Sequence, residues 1–330
     1  MEQSALDLIA MRWREALDDA EESLDELSRS RRILGFPPGE LGRRRKELRA
    51  ERGETELDLE HLARVVHLPV HRRLTGPRAT SVRLGLGANV RGCVFDLDGV
   101  LTPTAELHVA AWQQTFDELL ARRGGRFGAF RPFERRADYR RYIEGKPRIQ
   151  GVREVLASRA IRLPEGSPDD PPGAETAFGL GNRKNELLTA RLRREGVRGY
   201  DGTVVFLELA HEAGLACAVV SASANTSAIL GRAGLRFLVD AIVDGHDLEA
   251  EHLAPKPAPD SVLEACRRLG LPPEQVASFD TTPAGVAAGR AARVERIVVV
   301  ARESSSRSAE AWGADAVVAD LAELIEPELV

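Results

Sequence analysis

The sequence predicts an α/β fold, a doubly wound parallel sheet, on three observations. Short apolar runs alternate with helical patterns over the last two thirds of the chain, which is the order of a parallel sheet covered on both faces. One such run, Cys93-Val94-Phe95, breaks out into two aspartates one residue apart, Asp96 and Asp98. Further polar motifs follow the ends of later runs, where open α/β sheets hold their ligands.

In chain order, residues 3–34 show a helical stripe of Leu6, Ile9, Trp13, Leu17, Leu24 and Leu27. Gly35-Phe36-Pro37-Pro38-Gly39 stops it, and helical stretches follow over 40–52 and 57–66. Charge is segregated here: Glu15, Asp18, Asp19, Glu21, Glu22, Asp25 and Glu26 face a basic block of Arg43, Arg44, Arg45, Lys46, Arg49 and Arg52. Folding back at 35–39 sets the blocks side by side. Residues 1–75 are therefore expected to form a helical hairpin or bundle, suited to self-association or a protein partner because short hairpins rarely bury their stripe alone. A nucleic-acid patch is the competing reading, and the acid–base balance opposes it. Residues 76–91, with Gly76-Pro77 and two later glycines, are expected to be a linker.

The sheet then begins. Gly99 permits a sharp turn after the strand, and Thr104 can cap a helix over 105–122. Strands are expected at 215–220, 241–243, 275–279, 296–301 and 315–318, with helices at 202–212, 225–231, 259–269, 283–292 and 305–312. More than a hundred residues separate Asp98 from the second strand, where about a dozen suffice for a crossover. The insert carries helical patterns at 137–143, 151–159 and 182–194 and is expected to be a helical cap over 105–198. The core takes 92–104 and 199–330. Emerging beside the two aspartates, the cap would cover them as a lid.

Composition narrows the function. A net charge of −5, with 43% hydrophobic and 29% charged residues, describes an ordinary globular chain and opposes general binding to nucleic acid or an anionic membrane. No apolar run reaches membrane-spanning length, and the start lacks a secretory signal. Three widely spaced cysteines form neither a disulfide framework nor a zinc pattern, so a reducing cytoplasm is expected.

The chemistry gathers at strand ends. One aspartate of the pair can attack an electrophile while the other moves a proton. Ser221-Ala222-Ser223-Ala224-Asn225 follows a strand and opens a helix, with hydroxyls and backbone N–H groups suited to an anion. Lys256 sits in the stiff segment Pro255-Lys256-Pro257 and can neutralise phosphate or a carboxylate. Phe279-Asp280-Thr281-Thr282 ends another strand on a carboxylate that can take a metal.

This order of motifs resembles the haloacid dehalogenase superfamily, and within it the β-phosphoglucomutase-like group with a helical cap. Asp96-Leu97-Asp98-Gly99-Val100 carries the resemblance, supported by Thr104-Ala105-Glu106-Leu107-His108 and Ala111-Trp112. The resemblance covers about 92–321 and implies a Rossmann-like core. It further implies that Asp96 is the nucleophile forming an aspartyl phosphate and that Asp98 is the general acid–base. Ser221, Ala222, Asn225 and Lys256 would bind the phosphate. Asp96, the Asp98 carbonyl and Asp280 would hold Mg2+. In the cap, Lys146 and Arg148 of Gly145-Lys146-Pro147-Arg148 and the hinge residue His108 would meet the substrate, a small phosphorylated metabolite. Arg183 and Lys184 add positive charge that serves either an anionic substrate or a solvated helix face.

Two positions depart from the family pattern. Thr281 stands where the second acid of a metal-binding pair is usual, so weaker Mg2+ binding is expected. Ala224 stands where the mutase group usually has lysine, removing a phosphate contact. An enzyme acting on a sugar phosphate, as phosphatase or phosphomutase, is the favoured reading. The alternative is a catalytically impaired relative that binds a phosphorylated ligand or a protein partner.

Overall fold

A computed structural model describes residues 81–127, 131–302 and 312–326. The expected N-terminal hairpin, and the 305–312 helix apart from its last residue, lie outside the described residues.

Strands β1 (Gly92–Phe95), β2 (Ala216–Val220), β3 (Ala241–Val243), β4 (Val276–Asp280), β5 (Arg296–Val300) and β6 (Ala316–Val318) form one parallel sheet in the order β3-β2-β1-β4-β5-β6. The chain lays β2 and β3 on one side of β1 and β4, β5 and β6 on the other, so the topological switch falls beside β1. That is where such sheets open a crevice at the carboxyl ends of their strands. Register brings the ends together: Phe95 pairs with Val219 on one side and Phe279 on the other. Asp96 and Asp280 therefore leave the sheet side by side, with the Asp96 N–H bonded to the Phe279 carbonyl at 2.8 Å.

Both faces are covered, as the alternating side chains require. Phe95 stacks on Phe279 at 4.5 Å and meets Phe206 of α5 (Asp201–Glu212) edge-on at 6.2 Å. On the opposite face Val94, Ala218 and Val243 pack with Val262, Ala265 and Cys266 of α8 (Asp260–Leu269) and Ala288 of α9 (Pro283–Ala292). Cys93 and Cys217 are register partners in β1 and β2, and all three cysteines are free and buried.

Between β1 and α5 comes the helical insert: α1 (Ala105–Phe127), α2 (Ala137–Tyr142), α3 (Arg148–Ser158) and α4 (Ala177–Glu195). It has its own core, in which Trp112, Phe116 and Phe133 stack in series beside Val152, Val155 and Leu180. Helices α3 and α4 start earlier than the patterns at 151–159 and 182–194 suggest. Pro147 precedes α3, and the Thr176 hydroxyl caps α4 by accepting from the Gly179 N–H at 2.9 Å. Helix α6 (Thr226–Arg232) follows β2, and α7 (Gly245–Ala250) follows β3. The sequence reading missed α7, a single short helix set by a capping box of Asp244 and Asp247.

One expectation needs correction. The Thr104 hydroxyl, expected as a helix cap, donates to Asp98. The described part of the 76–91 segment is packed, with Leu84, Leu86 and Val90 buried and the Glu326 N–H bonded to the Arg83 carbonyl. Its glycines suggested a tether, but the apolar residues between them are anchored in the core. No helix among the described residues is long and apolar enough to cross a membrane.

Candidate active site

A cavity of about 590 Å³ opens over the carboxyl ends of β1, β2 and β4. Its floor is built by the strand ends. The Lys256 ammonium lies 2.8 Å from Asp96 Oδ1 and 2.7 Å from Asp280 Oδ2, and its side chain is 10% exposed. Two carboxylates hold it charged, well above the ordinary lysine range despite burial. Asp280 Oδ1 accepts from the Thr282 N–H at 2.9 Å and its hydroxyl at 2.8 Å. Thr282 in turn caps α9, accepting from the Gly285 N–H. Helix cap, strand end and lysine thus fix one carboxylate from every side.

Burial pushes Asp96 up to about 7, with Lys256 pulling it down and Asp280 and Asp98 adding to the rise. Asp96 and Asp280 share one ammonium, and Asp98 lies close enough for its charge to be felt at Asp96. The floor's carboxylates at Asp96 and Asp280 are hard oxygen donors, a type that could hold Mg2+, an ion that keeps several waters and needs few protein ligands. Among the described residues no three His, Cys, Asp or Glu side chains form a metal cage by themselves. Thr281 lines the cavity against the turn, where a Cβ on Gly99 would come within 3.1 Å of its methyl.

Asp98 stands beyond this floor because Gly99 adopts φ 87°, a conformation that favours glycine. The turn is closed by Leu101 N–H and Thr102 N–H on the Leu97 carbonyl. Thr104 bonds Asp98 Oδ1, and the Thr102 and Thr104 hydroxyls are 2.7 Å apart. Ser221 is buried and its Oγ accepts from the Ser223 N–H at 3.1 Å. Ser221, Ala222 and Asn225 line the same cavity.

The insert supplies the opposite wall. His108 and Lys184 are both buried, with Nδ1 and Nζ 3.1 Å apart, and Lys184 also lies 5.3 Å from the Trp112 ring centroid. Burial lowers Lys184 to about 7, partly opposed by Asp98 and reinforced by Arg148. Burial, then Lys184, lowers His108 to about 4, so its imidazole is neutral at pH 7. His108 Nε2 lies 3.8 Å from Asp98 Oδ1 and has no hydrogen-bond partner. The Arg148 Nε is likewise buried and unpartnered, and burial lowers that guanidinium.

The sequence reading therefore divides in the basic insert residues. Lys184 faces the cavity, whereas Arg183 is outside its lining and pairs with Glu118 and Glu186. Lys146 lines the cavity, but Glu154 and the Arg141 carbonyl engage its ammonium. Tyr139, Glu144, His246 and Glu249 also line the cavity and were not foreseen. Asn185 was missed as well; its Oδ1 accepts from Asn225 Nδ2 at 2.8 Å and ties the insert to the loop after β2. Only the Thr-Thr-Pro signature of a capped helix, at Thr282, could have been read among the missed residues.

With this geometry in view, the chain can be set beside known proteins. A family model of haloacid dehalogenase-like hydrolases matches residues 90–293. A β-phosphoglucomutase of Mycobacterium bovis is 51% identical over 255 residues, 76% of this chain and 97% of that protein. A much longer Mycobacterium tuberculosis protein named an uncharacterized glycosyl hydrolase is 33% identical over 249 residues, 76% of this chain but 18% of its own length. Among solved structures, CbbY from Rhodobacter sphaeroides in complex with phosphate matches with a TM-score of 0.53 at 24% identity, covering 71% of this chain and 96% of that one. A β-phosphoglucomutase from Clostridium difficile matches with a TM-score of 0.55 at 19% identity, covering 71% and 93%. The two structures speak to the fold; the family model and the mycobacterial relatives speak to kinship. The chain belongs to the haloacid dehalogenase-like hydrolases, among the capped phosphatases and phosphomutases that resemble β-phosphoglucomutase.

Proposed function

We propose that this chain is a Mg2+-dependent enzyme that transfers the phosphoryl group of a sugar phosphate through an aspartyl phosphate at Asp96. The observation that carries the reading is the Lys256 bridge between Asp96 and Asp280, facing a wall where Arg148 and Lys184 lack an anion.

A free Asp96 oxygen attacks phosphorus and the bond to the sugar oxygen breaks, that oxygen taking a proton from Asp98. Water, or a sugar hydroxyl in a mutase, then attacks the aspartyl phosphate, gives its proton to Asp98 and releases Asp96. Thr104 aims Asp98 for both transfers, and neutral His108 of the insert lies 3.8 Å from it. Ser221, the Ala222 backbone, Asn225 and Lys256 meet the transferring phosphoryl oxygens, where negative charge spreads in the transition state. Arg148 and Lys184 meet the rest of an anionic substrate, with the insert acting as a cap that excludes water. Mg2+, held by Asp96, the Asp98 carbonyl and Asp280, would offset repulsion between the nucleophile and the phosphate dianion.

The sugar assignment draws on the relative named β-phosphoglucomutase and on the longer one named a glycosyl hydrolase. Three free buried thiols agree with work in a reducing cytoplasm.

A second reading, an impaired enzyme that keeps its ligand site, is favoured by Thr281 and by the full engagement of Asp280. An assay with p-nitrophenyl phosphate and β-glucose 1-phosphate, with and without Mg2+, separates the two. Metal-dependent turnover that falls at least about 10³-fold in Asp96→Asn is expected. Undiminished turnover in that variant sinks the mechanism. Tight binding of the sugar phosphate with no turnover selects the second reading.

A further inference from the structure

Arg302, just after β5, joins three separate stretches of chain. Its Nε donates to the Gly99 carbonyl at 2.9 Å and its Nη2 to the Val100 carbonyl at 3.1 Å. Nη2 also donates to Thr203 Oγ1 at 3.1 Å, Nη1 pairs with Asp320, and the guanidinium carbon lies 3.4 Å from the Tyr200 ring centroid. Gly202 makes room for the Asp320 carboxylate, since a Cβ there would fall 1.7 Å from its oxygen.

These partners sit where the chain passes between the sheet and the helical insert. Gly99 and Val100 begin the outgoing crossing, directly after Asp98. Tyr200 and Thr203 end the return crossing at the start of α5. The crossings also bond each other, Tyr200 N–H to the Leu101 carbonyl at 3.1 Å and Thr203 Oγ1 to the Val100 carbonyl at 2.9 Å. Arg302 lies outside the cavity lining, so its effect on chemistry has to pass through the turn that it holds.

We propose that Arg302 is a positioning residue for phosphoryl transfer, pinning both crossings to the core and so fixing the turn that aims Asp98. A planar fork donating to two successive carbonyls locks that turn in a way a single ammonium cannot. The inference rests on the proposed function, because only an acting Asp98 makes the turn's placement matter to rate. Displacement of a reacting group by about 1 Å can cost as much as ~10²-fold.

The test compares Arg302→Ala and Arg302→Lys with Arg91→Ala in the full chain. Arg91 also grips two carbonyls, those of Ala88 and Val90, but at the amino end of β1. In Arg302→Ala, kcat for p-nitrophenyl phosphate should fall about tenfold or more, while the inhibition constant of inorganic phosphate moves less than about twofold. Arg302→Lys should recover part of the loss, and Arg91→Ala should keep wild-type kcat. Amide hydrogen exchange should quicken at 99–104 and 199–203 in Arg302→Ala alone. Should that variant not fold, Arg302→Lys and Tyr200→Leu carry the comparison. Unchanged exchange at both crossings overturns the proposal, as does unchanged kcat or an equal loss of kcat in Arg91→Ala. A wild-type chain with no turnover on any phosphomonoester sinks the functional reading and the catalytic half of the proposal; the anchoring half still stands or falls on the exchange data.

Discussion

The floor and the wall of the cavity are built on different principles. The floor hangs from strand ends whose register is set by the sheet, and its charges are already matched: Lys256 by Asp96 and Asp280, Asp280 by Thr282. The wall comes from the helical insert, which has its own core, and its cations, the buried Lys184 and the half-buried Arg148 with its enclosed Nε, make no carboxylate ion pair among the described residues. A matched floor holds its shape without ligand, whereas an unmatched wall has a place left for an anion. Among the described residues the Asn225 Nδ2 bond to Asn185 joins the two, and neutral His108 lies 3.8 Å from Asp98 without a hydrogen bond to it.

The harshest way to break the contrast is at the floor. Lys256→Ala leaves Asp96 and Asp280 facing each other without their shared cation. Steady-state kcat/KM for the phosphomonoester should fall about 10³-fold, as for loss of a transition-state donor. A loss under tenfold would mean that the floor does not depend on this bridge.

Thr281→Asp sharpens the same region by adding the missing carboxylate next to Asp280. Mg2+ affinity, measured by calorimetry, should rise about tenfold with the added ligand charge. Unchanged affinity would remove Thr281 from the metal account.

At the wall, Lys184→Met should raise KM for the sugar phosphate about tenfold, the value of one charged hydrogen bond. Its pH behaviour is the finer probe. Burial holds the folded lysine at about 7, so the ammonium and the anion affinity are lost as pH rises through that value. The unfolded lysine keeps its proton to a higher pH, near the ordinary lysine value of 10.5, so in that window the unfolded chain binds more protons. Stability of the ligand-free chain should therefore rise with pH between these limits while KM worsens. Chemical denaturation and KM profiles of wild type against the methionine variant test both slopes, and parallel profiles would disprove the assignment.

The smallest effect belongs to the junction. Asn185→Ala removes one neutral hydrogen bond between insert and loop, worth about 1 kcal/mol, and should lower kcat/KM about fivefold. No change would show that insert and floor meet through other contacts.

Legibility followed the same division. Asp96, Asp98, Ser221 and Asp280 could be picked out because each lies at the end of an apolar strand, and a sheet has only one end at which such residues can gather, whereas Lys256 was marked by its flanking prolines. The wall residues carried weaker signals. Arg183 and Lys184 are neighbours with the same charge, yet one pairs outward with Glu118 and the other lies buried against Trp112. A helix turns about 100° per residue, so which neighbour faces the site depends on how the helix packs, and adjacency says nothing of it. Thr104 is a related case: its local sequence offers a cap, and only the fold shows its hydroxyl donating to Asp98.

By itself the sequence determined the strand order of chemistry, the parallel sheet and the long insert, because these rest on periodicity and on short motifs that act locally. Only the tertiary structure decided that Lys256 bridges two aspartates, that Lys184 and His108 pair over Asp98, and that Arg302 grips the turn from two hundred residues away. Those contacts join residues far apart in the chain. Their geometry is fixed by sheet register and helix packing, and no local pattern encodes either.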